Sequence, residues 1–181
     1  MLFKSEQALA EFAKSFGLFL RDNLDNKKYL SLCIELVGDV GAGKTTFTRY
    51  LAEGLGIKSP VTSPSFTISK HYSFTSKSND SSAGGTCDTH PGTTSVNKNR
   101  DFELIHYDFY RLDDPGLMAE DLEESLDNPS AIVILEWANS VKNVLPKDHY
   151  QITFKVLPDG SRDLTFNQPM QTLISEKEGG K

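Results

Sequence analysis

The residues from Leu36 to Tyr50, LVGDVGAGKTTFTRY, have the types and the spacing of a phosphate-binding loop. Gly38 is followed by four residues and then by Gly43, Lys44 and Thr45, which fits the pattern G-x-x-x-x-G-K-[ST]. A loop of small residues lets backbone N–H groups point at phosphate oxygens, and the start of the next helix adds a positive partial charge. Lys44 is expected to reach the outer phosphates of a nucleoside triphosphate, and the Thr45 hydroxyl to ligate Mg²⁺.

A strand and a helix must flank such a loop for it to bind phosphate. Tyr29 to Val37, YLSLCIELV, is a run of strand-forming residues that ends at Gly38. After the loop, apolar residues recur at helical spacing, with Gly54 and Gly56 as stop signals. The periodic positions are Phe47, Tyr50, Leu51 and Leu55. The predicted nucleotide-binding residues of the loop are Gly38, Asp39, Val40, Gly41, Ala42, Gly43, Lys44 and Thr45.

Glu136 is the candidate for the acidic side of the Mg²⁺ site, opposite Thr45. It ends the apolar run AIVIL of a predicted buried strand, Ala131 to Trp137. A residue at that position is expected at the carboxyl edge of the sheet, beside the phosphate loop.

Asp108 lies in a second predicted strand, Asp101 to Leu112, DFELIHYDFYRL. One interpretation is that it positions or deprotonates the attacking water, or holds a metal-bound water, because an acid in a strand needs a partner. The alternative is a structural carboxylate satisfied by Arg111 or Tyr110. The candidate catalytic residues are therefore Asp108, Lys44 and Glu136, and the candidate metal ligands are Thr45 and Glu136.

The remaining elements predict a P-loop α/β domain with a mixed sheet flanked by helices and with antiparallel hairpins. An amphipathic helix with Leu9, Phe16 and Leu20 on one face opens the chain. A strand is expected from Phe66 to Tyr72, a helix with Leu117, Leu122 and Leu126 inward, and a terminal hairpin around Pro158-Asp159-Gly160. We assign residues 1–170 to a single domain, with a flexible polar insertion at 73–100 and a frayed polar tail at 171–181. Within the insertion, Cys87 and His90 have the spacing of half a metal site, but an ordinary loop is the favoured interpretation.

Composition limits the classes of function. The chain of 181 residues is long enough to bury a core without disulfides, so Cys33 and Cys87 are expected to be reduced thiols in a cytoplasmic protein. The formal net charge is −6, and no Lys/Arg cluster is present to contact a nucleic-acid backbone. We expect contact with nucleic acid only through a partner, and no association with a membrane.

Four segments together resemble the bacterial TsaE family, formerly YjeE, whose members are small ATPases of tRNA threonylcarbamoyladenosine synthesis. They are GDVGAGKTTFTRYLAEGLG, SPSFTISKHY, IHYDFYRL and ILEW, between Gly38 and Trp137. The combination of GAGKTTF, H-x-D-x-Y-R-L and E-W is far more specific than the phosphate loop alone. This chain departs from the family pattern at Ser65, where SPTF is usual, and in the length of the insertion at 73–100.

The resemblance implies ATP and Mg²⁺ as ligands, and homologues of TsaD and TsaB as partners that act on tRNA. It matches Thr46 to a phosphate contact next to Lys44 and Thr45, and Asp108 to the acid of the H-x-D motif. It also matches Glu136 and Trp137 to an acid–aromatic pair, and the loop from Thr62 to Phe66 to a switch-like segment.

Three other classes share parts of this pattern. A small-molecule P-loop kinase would add an arginine-bearing lid, but the insertion has only Arg100 at its edge. A GTPase would need N-K-x-D to read guanine, and the nearest match, Asn97-Lys98-Asn99-Arg100, ends in the wrong charge. A non-catalytic nucleotide-binding module remains open.

Overall fold

The computed structural model describes residues 1–24, 32–76 and 100–179. In this part of the chain the strands are β1 (Leu2–Phe3), β2 (Leu32–Val37), β3 (Ser69–Thr75), β4 (Asp101–Asp108), β5 (Ala131–Glu136), β6 (Tyr150–Val156) and β7 (Arg162–Phe166). The helices are α1 (Glu6–Asn23), α2 (Lys44–Leu55), α3 (Leu117–Asp127) and α4 (Gln168–Gly179), with a short 3₁₀ helix at Ala138–Val141.

All seven strands belong to one mixed sheet, in the order β1-β7-β6-β2-β5-β4-β3. Strand β2 lies at the centre, parallel to β5 and β6, and β4 is parallel to β5. The antiparallel pairs are β3 with β4, β6 with β7, and β1 with β7. Because β2, β4 and β5 run in the same direction, their carboxyl ends meet at one edge, where open α/β sheets bind ligands. The predicted mixed sheet with antiparallel hairpins is confirmed.

Helices cover both faces of this sheet. One face packs against α1, α2 and α4 around residues such as Leu36, Phe47 and Ile134, and the other packs against α3 and the 3₁₀ helix around Val133 and Leu122. Strand β5 supplies side chains to both cores, which explains why its sequence is a continuous apolar run. Among the described residues, no helix combines the length and the apolar character needed to cross a membrane.

The strand predicted from Phe66 begins only at Ser69. Residues Pro64 to Ile68 instead form a turn in which the N–H groups of Thr67 and Ile68 donate to the carbonyl of Pro64. Phe66 is 84% exposed as a result, although an aromatic residue in an alternating pattern favours a strand. At its other end β3 extends to Thr75, so residues 73–75 belong to the sheet and not to the predicted insertion.

Two predicted roles of single residues in helices were wrong. Gly54 does not end α2; Gly56 does, with φ of +90°. A Cβ on Gly54 would lie 2.1 Å from the carbonyl oxygen of Lys14, so Gly54 permits the close approach of α1 and α2. Leu117 does not face inward but is 79% exposed at the start of α3, where Leu122 is the buried leucine.

The segment predicted as a frayed polar tail is helical as far as Gly179. Met170, Leu173 and Ile174 are buried in the core beside α1, and this burial outweighs the polar composition of the rest of the helix. Strand β4 ends at Asp108 rather than at Leu112. The possible half metal site at Cys87 and His90 lies outside the described residues.

Candidate functional site

The phosphate loop connects β2 to α2. Gly43 caps the start of α2 with φ of +105°, a conformation that favours glycine, and offers no capping side chain to the N–H groups of the first turn. These N–H groups and the helix dipole suit an anion. At the other end of the loop, a Cβ on Gly38 would lie 2.6 Å from the carbonyl oxygen of Phe154, so a larger residue cannot fit there.

Lys44 lies against its own loop. Its Nζ donates to the carbonyl oxygens of Gly38 and Asp39 at 2.7 and 2.9 Å, and it lies 4.5 Å from the centre of the Trp137 ring. Burial lowers the pKa of the Lys44 ammonium, and the negative charges of Glu136, Asp108 and Asp39 oppose this shift. A phosphate group that binds Lys44 therefore has to compete with these contacts.

Glu136 and Thr45 meet directly at the carboxyl edge of the sheet. The Thr45 hydroxyl donates to Oε1 of Glu136 at 2.9 Å, as expected for two residues that would share one Mg²⁺ ion. No group of three or more His, Cys, Asp or Glu side chains with metal-site geometry occurs in the described part of the chain. A cation here would thus rely on Thr45, Glu136, phosphate oxygens and water, which is typical of Mg²⁺ bound with a nucleotide.

Asp108 is held by the loop that follows α2. Its Oδ2 accepts hydrogen bonds from the hydroxyls of Ser63, at 2.9 Å, and Ser65. Its Oδ1 accepts from the backbone N–H of Tyr110 at 3.1 Å. Of the two structural partners predicted as an alternative, Tyr110 contacts Asp108 through this backbone N–H, whereas the side chain of Arg111 lies over the Phe66 ring. Asp108 thus couples the segment Thr62 to Phe66 to the carboxyl end of β4.

Backbone strain flanks the site on two sides. Within the described residues, Ile68 and Trp137 are the non-glycine residues with positive φ, at 66° and 59°. Ile68 accepts a hydrogen bond from the N–H of Asp108, and Trp137 directly follows Glu136. Left-handed conformations of such bulky side chains are unfavourable and cluster at functional sites.

Most of the predicted site residues line a cavity of about 370 Å³, which suits a small-molecule ligand. Its lining residues are Val40, Gly41, Gly43, Lys44, Thr45, Thr46, Ser63, Ser65, Phe66, Asp108, Tyr110, Arg111, Glu136, Trp137 and Arg162. Of the predicted loop residues, Gly38 and Asp39 line a smaller neighbouring cavity instead, together with Trp137. The side chain of Ala42 is buried in the core.

Arg162 is a site residue that the sequence analysis missed. It begins β7, far along the chain from the phosphate loop, and lines the cavity beside Gly43. Its Nε is buried without a hydrogen-bond partner and lies 3.2 Å from the position that a Cβ on Gly43 would take. No local motif marks this arginine, because the pairing of β7 with β6 brings it to the edge of the sheet.

The central parallel strands, the glycine loop after β2 and the Lys44–Thr45 start of α2 define a P-loop protein. The sequence model of the family described as "Threonylcarbamoyl adenosine biosynthesis protein TsaE" matches residues 3–81 and 89–164. The chain therefore belongs to the TsaE family.

Individual relatives agree with this assignment. The chain is 36% identical over 134 residues to the tRNA threonylcarbamoyladenosine biosynthesis protein TsaE of Bacillus subtilis, covering 74% of this chain and 67% of that protein. It is 30% identical over 164 residues to the protein of the same name from Borreliella burgdorferi, covering 87% and 92%. A crystal structure of YdiB from Bacillus subtilis superposes with a TM-score of 0.65 at 26% identity, covering 99% of this chain and 93% of that one.

Proposed function

We propose that this protein is an Mg²⁺-dependent ATPase that supports the synthesis of threonylcarbamoyladenosine in tRNA. Its ATP hydrolysis would allow turnover of a modification complex formed by homologues of TsaD and TsaB. The observation that carries the proposal is the 2.9 Å contact between Thr45 and Glu136, next to Lys44 and at the start of α2. The contact brings together the two proposed Mg²⁺ ligands, and the next residue to Thr45 in sequence, Lys44, is the proposed phosphate-binding residue.

Each residue has a distinct part in the proposed reaction. The backbone of the phosphate loop and Lys44 bind the outer phosphates, and Thr46 contacts the phosphate next to them. Thr45 and Glu136 would hold Mg²⁺, which when bound neutralises charge on the phosphate oxygens. Asp108 would orient the attacking water or accept its proton, after Ser63 and Ser65 release it. Oδ2 of Asp108 accepts hydrogen bonds from both of these serines, so the switch-like segment would have to move to free that oxygen.

The proposed partner is a protein complex that itself contacts tRNA. The net charge of −6 does not favour direct binding of this chain to a polyanion. The biosynthetic role comes from the family to which the chain belongs, and tRNA modification is consistent with a cytoplasmic location.

Phosphate release from ATP tests the proposal, measured for the full chain alone, with TsaD and TsaB homologues, and with Lys44→Ala as the inactive control. We expect Mg²⁺-dependent release that increases when the partners are present and is absent in the control. Phosphate transfer to a small molecule would indicate a kinase instead, and a preference for GTP would indicate a GTPase. Tight nucleotide binding without turnover under any of these conditions would indicate a binding module.

A further inference from the structure

His106 is a buried polar residue with no part in the function proposed above. It lies in β4, two residues before Asp108, and its side chain is fully buried. Its Nε2 lies 3.1 Å from Oε1 of Glu136 on the neighbouring strand β5. Burying an imidazole is costly unless its ring nitrogens have hydrogen-bond partners, and the contact with Glu136 offsets part of that cost.

The surroundings of the ring determine which nitrogen carries the proton. A carboxylate oxygen accepts, so Nε2 must donate to Glu136. The other nitrogen, Nδ1, is buried and without a hydrogen-bond partner. A protonated Nδ1 would leave a buried donor unsatisfied, whereas a bare Nδ1 leaves only a lone pair. The Nε2–H of His106 is therefore the donor of this contact, directed at Oε1 of Glu136.

The two hydrogen bonds that described side chains make to Glu136 both end on Oε1. One comes from the Thr45 hydroxyl at 2.9 Å and the other from His106 at 3.1 Å. If the Thr45 hydroxyl oxygen coordinates a bound cation, the hydroxyl proton can be donated to an acceptor other than Glu136. His106 then remains as the donor that fixes the orientation of the carboxylate. Donors of this kind behind a metal ligand set its orientation, and their loss typically lowers metal affinity about 10–100-fold.

We propose that His106 is a positioning residue for magnesium: its Nε2–H holds Oε1 of Glu136 so that the carboxylate stays directed at the cation site beside Thr45. This inference rests on the proposed function, because it takes Glu136 as the acidic side of that site. His106 does not line the cavity of the candidate site, and it would act on the cation only through Glu136.

Two amide substitutions separate positioning from packing. In His106→Gln the amide nitrogen reaches about as far along the side chain as Nε2 of histidine, so the donor to Glu136 is kept. In His106→Asn the same amide is one methylene shorter and falls short of Glu136. His106→Leu adds a variant without any donor that suits a buried strand position.

The measurement is the affinity for ATP by calorimetry, once in Mg²⁺ and once in EDTA, with thermal stability recorded for each variant. In Mg²⁺, we expect His106→Asn and His106→Leu to bind ATP about 10–100-fold more weakly than wild type. In EDTA, their affinity for ATP should equal that of wild type. His106→Gln should keep the wild-type gain. If one donor-free variant fails to fold, the other supplies the comparison.

The outcomes distinguish this inference from the proposed function. A wild-type protein that binds ATP equally well in Mg²⁺ and EDTA would overturn the assignment of the Mg²⁺ site itself. A normal Mg²⁺ gain in wild type and in the donor-free variants would overturn only the role of His106. Equal losses of ATP affinity in His106→Gln and His106→Asn would also contradict the role of His106. A loss of ATP affinity that is the same in Mg²⁺ and in EDTA would likewise indicate that His106 only packs in the core.

Discussion

Three charged side chains of the candidate site, Lys44, Glu136 and Asp108, each contact polar groups of the protein itself. Lys44 contacts the carbonyls of its own loop, Glu136 accepts from Thr45 and His106, and Asp108 accepts from the serines of the switch-like segment. Buried charges need such partners, because an unpaired one would be costly. Ligand binding at this site is therefore an exchange of partners.

Lys44→Ala should weaken ATP binding without unfolding the protein. A charge-assisted contact to phosphate contributes on the order of 1.5–3 kcal/mol, and the loss of Lys44 removes it. Calorimetry should therefore show about a 10- to 150-fold lower affinity. Lys14→Ala is the matched control, since Lys14 is an exposed lysine on α1, away from the cavity. Equal ATP affinity in wild type and Lys44→Ala would contradict the assignment of the phosphate loop.

The two acids of the site should differ in the step that they affect. Glu136→Gln should weaken the Mg²⁺ dependence of ATP binding, because a metal ligand also stabilises the ground-state complex. Asp108→Asn should leave binding largely intact and slow turnover by roughly 10²–10⁴-fold, as expected for a general base or a water-positioning group. Affinity and turnover are measured with the partner complex present. If Asp108→Asn lost affinity as severely as Glu136→Gln while turnover at saturation stayed normal, this division of roles would be wrong.

Cys33 in β2 should contribute to stability in a way that depends on pH. Burial, with a smaller contribution from the charge of Glu35, raises the pKa of its thiol from 9.0 to about 12. The unfolded chain then releases this proton more readily, so the contribution is present below pH 9 and is lost as the pH rises from 9 towards 12. Above pH 9, the free energy of unfolding should fall less steeply with pH in Cys33→Ala than in wild type. The two slopes should differ by at most about 1.4 kcal/mol per pH unit, as measured by denaturant unfolding. If the free energy of unfolding changed with pH in parallel for the two proteins, this prediction would be wrong.

Helices α1 and α2 are joined by a close contact between two glycines. A Cβ on Gly54 would lie 2.1 Å from the carbonyl oxygen of Lys14, and a Cβ on Gly17 would lie 2.1 Å from that of Leu51. This packing holds α2, the helix that begins at the phosphate loop, against α1.

Gly54→Ala should therefore destabilise the fold, although alanine is the better helix former. Two backbones would have to separate, and overpacking of this kind costs typically about 1–3 kcal/mol. Ser15→Ala on the exposed face of α1 is the control, expected within about 0.5 kcal/mol of wild type. Denaturant unfolding of both variants decides the matter, and a Gly54→Ala protein as stable as the control would show that the helices can separate freely.

Elements with a strong local signal could be predicted from the sequence, and those that depend on distant contacts could not. The apolar run of β5 and the glycines after β2 predict the meeting of Glu136 and Thr45, which the structure brings to 2.9 Å. The turn at Phe66 contradicts the local strand pattern, because the hydrogen bond from Ser65 to Asp108 holds this segment out of the strand. The helix α4 contradicts its polar composition, because its apolar residues are buried in the same core as α1. Arg162 and the donor role of His106 depend on pairing between strands, which one segment of sequence does not contain.

The sheet topology assembles the site from segments that are distant in sequence. Strands β2, β4 and β5 lie side by side, with Asp108 paired in register with Glu136. The phosphate loop, both acids and the αL residue Trp137 thus meet at one edge, while β3 continues outward from β4. The insertion leaves the sheet at the opposite end of β3 and β4 from Asp108, since Thr75 pairs with Asp101.

Replacement of residues 77–99 by a short Asn-Gly turn should leave the fold and the basal ATP turnover nearly unchanged. The described ends already meet, because Thr75 pairs with Asp101 and the N–H of Ser76 donates to the carbonyl of Arg100 at 3.2 Å. A two-residue turn suits such an antiparallel pair. Loop closure changes by only about 0.6 kcal/mol for each halving of length, in favour of the shorter loop.

The matched control for this deletion is a Gly/Ser linker of the original length, which changes the composition of the insertion but not its length. Thermal unfolding and phosphate release are measured for both proteins, each with and without the partner complex. Because the polar composition predicts little burial, neither variant should lose substantial stability. A large loss in both would contradict the prediction and indicate that side chains of the insertion pack on the domain. A loss of stimulation by the partners in both, with basal turnover intact, would instead assign the insertion to the partner surface.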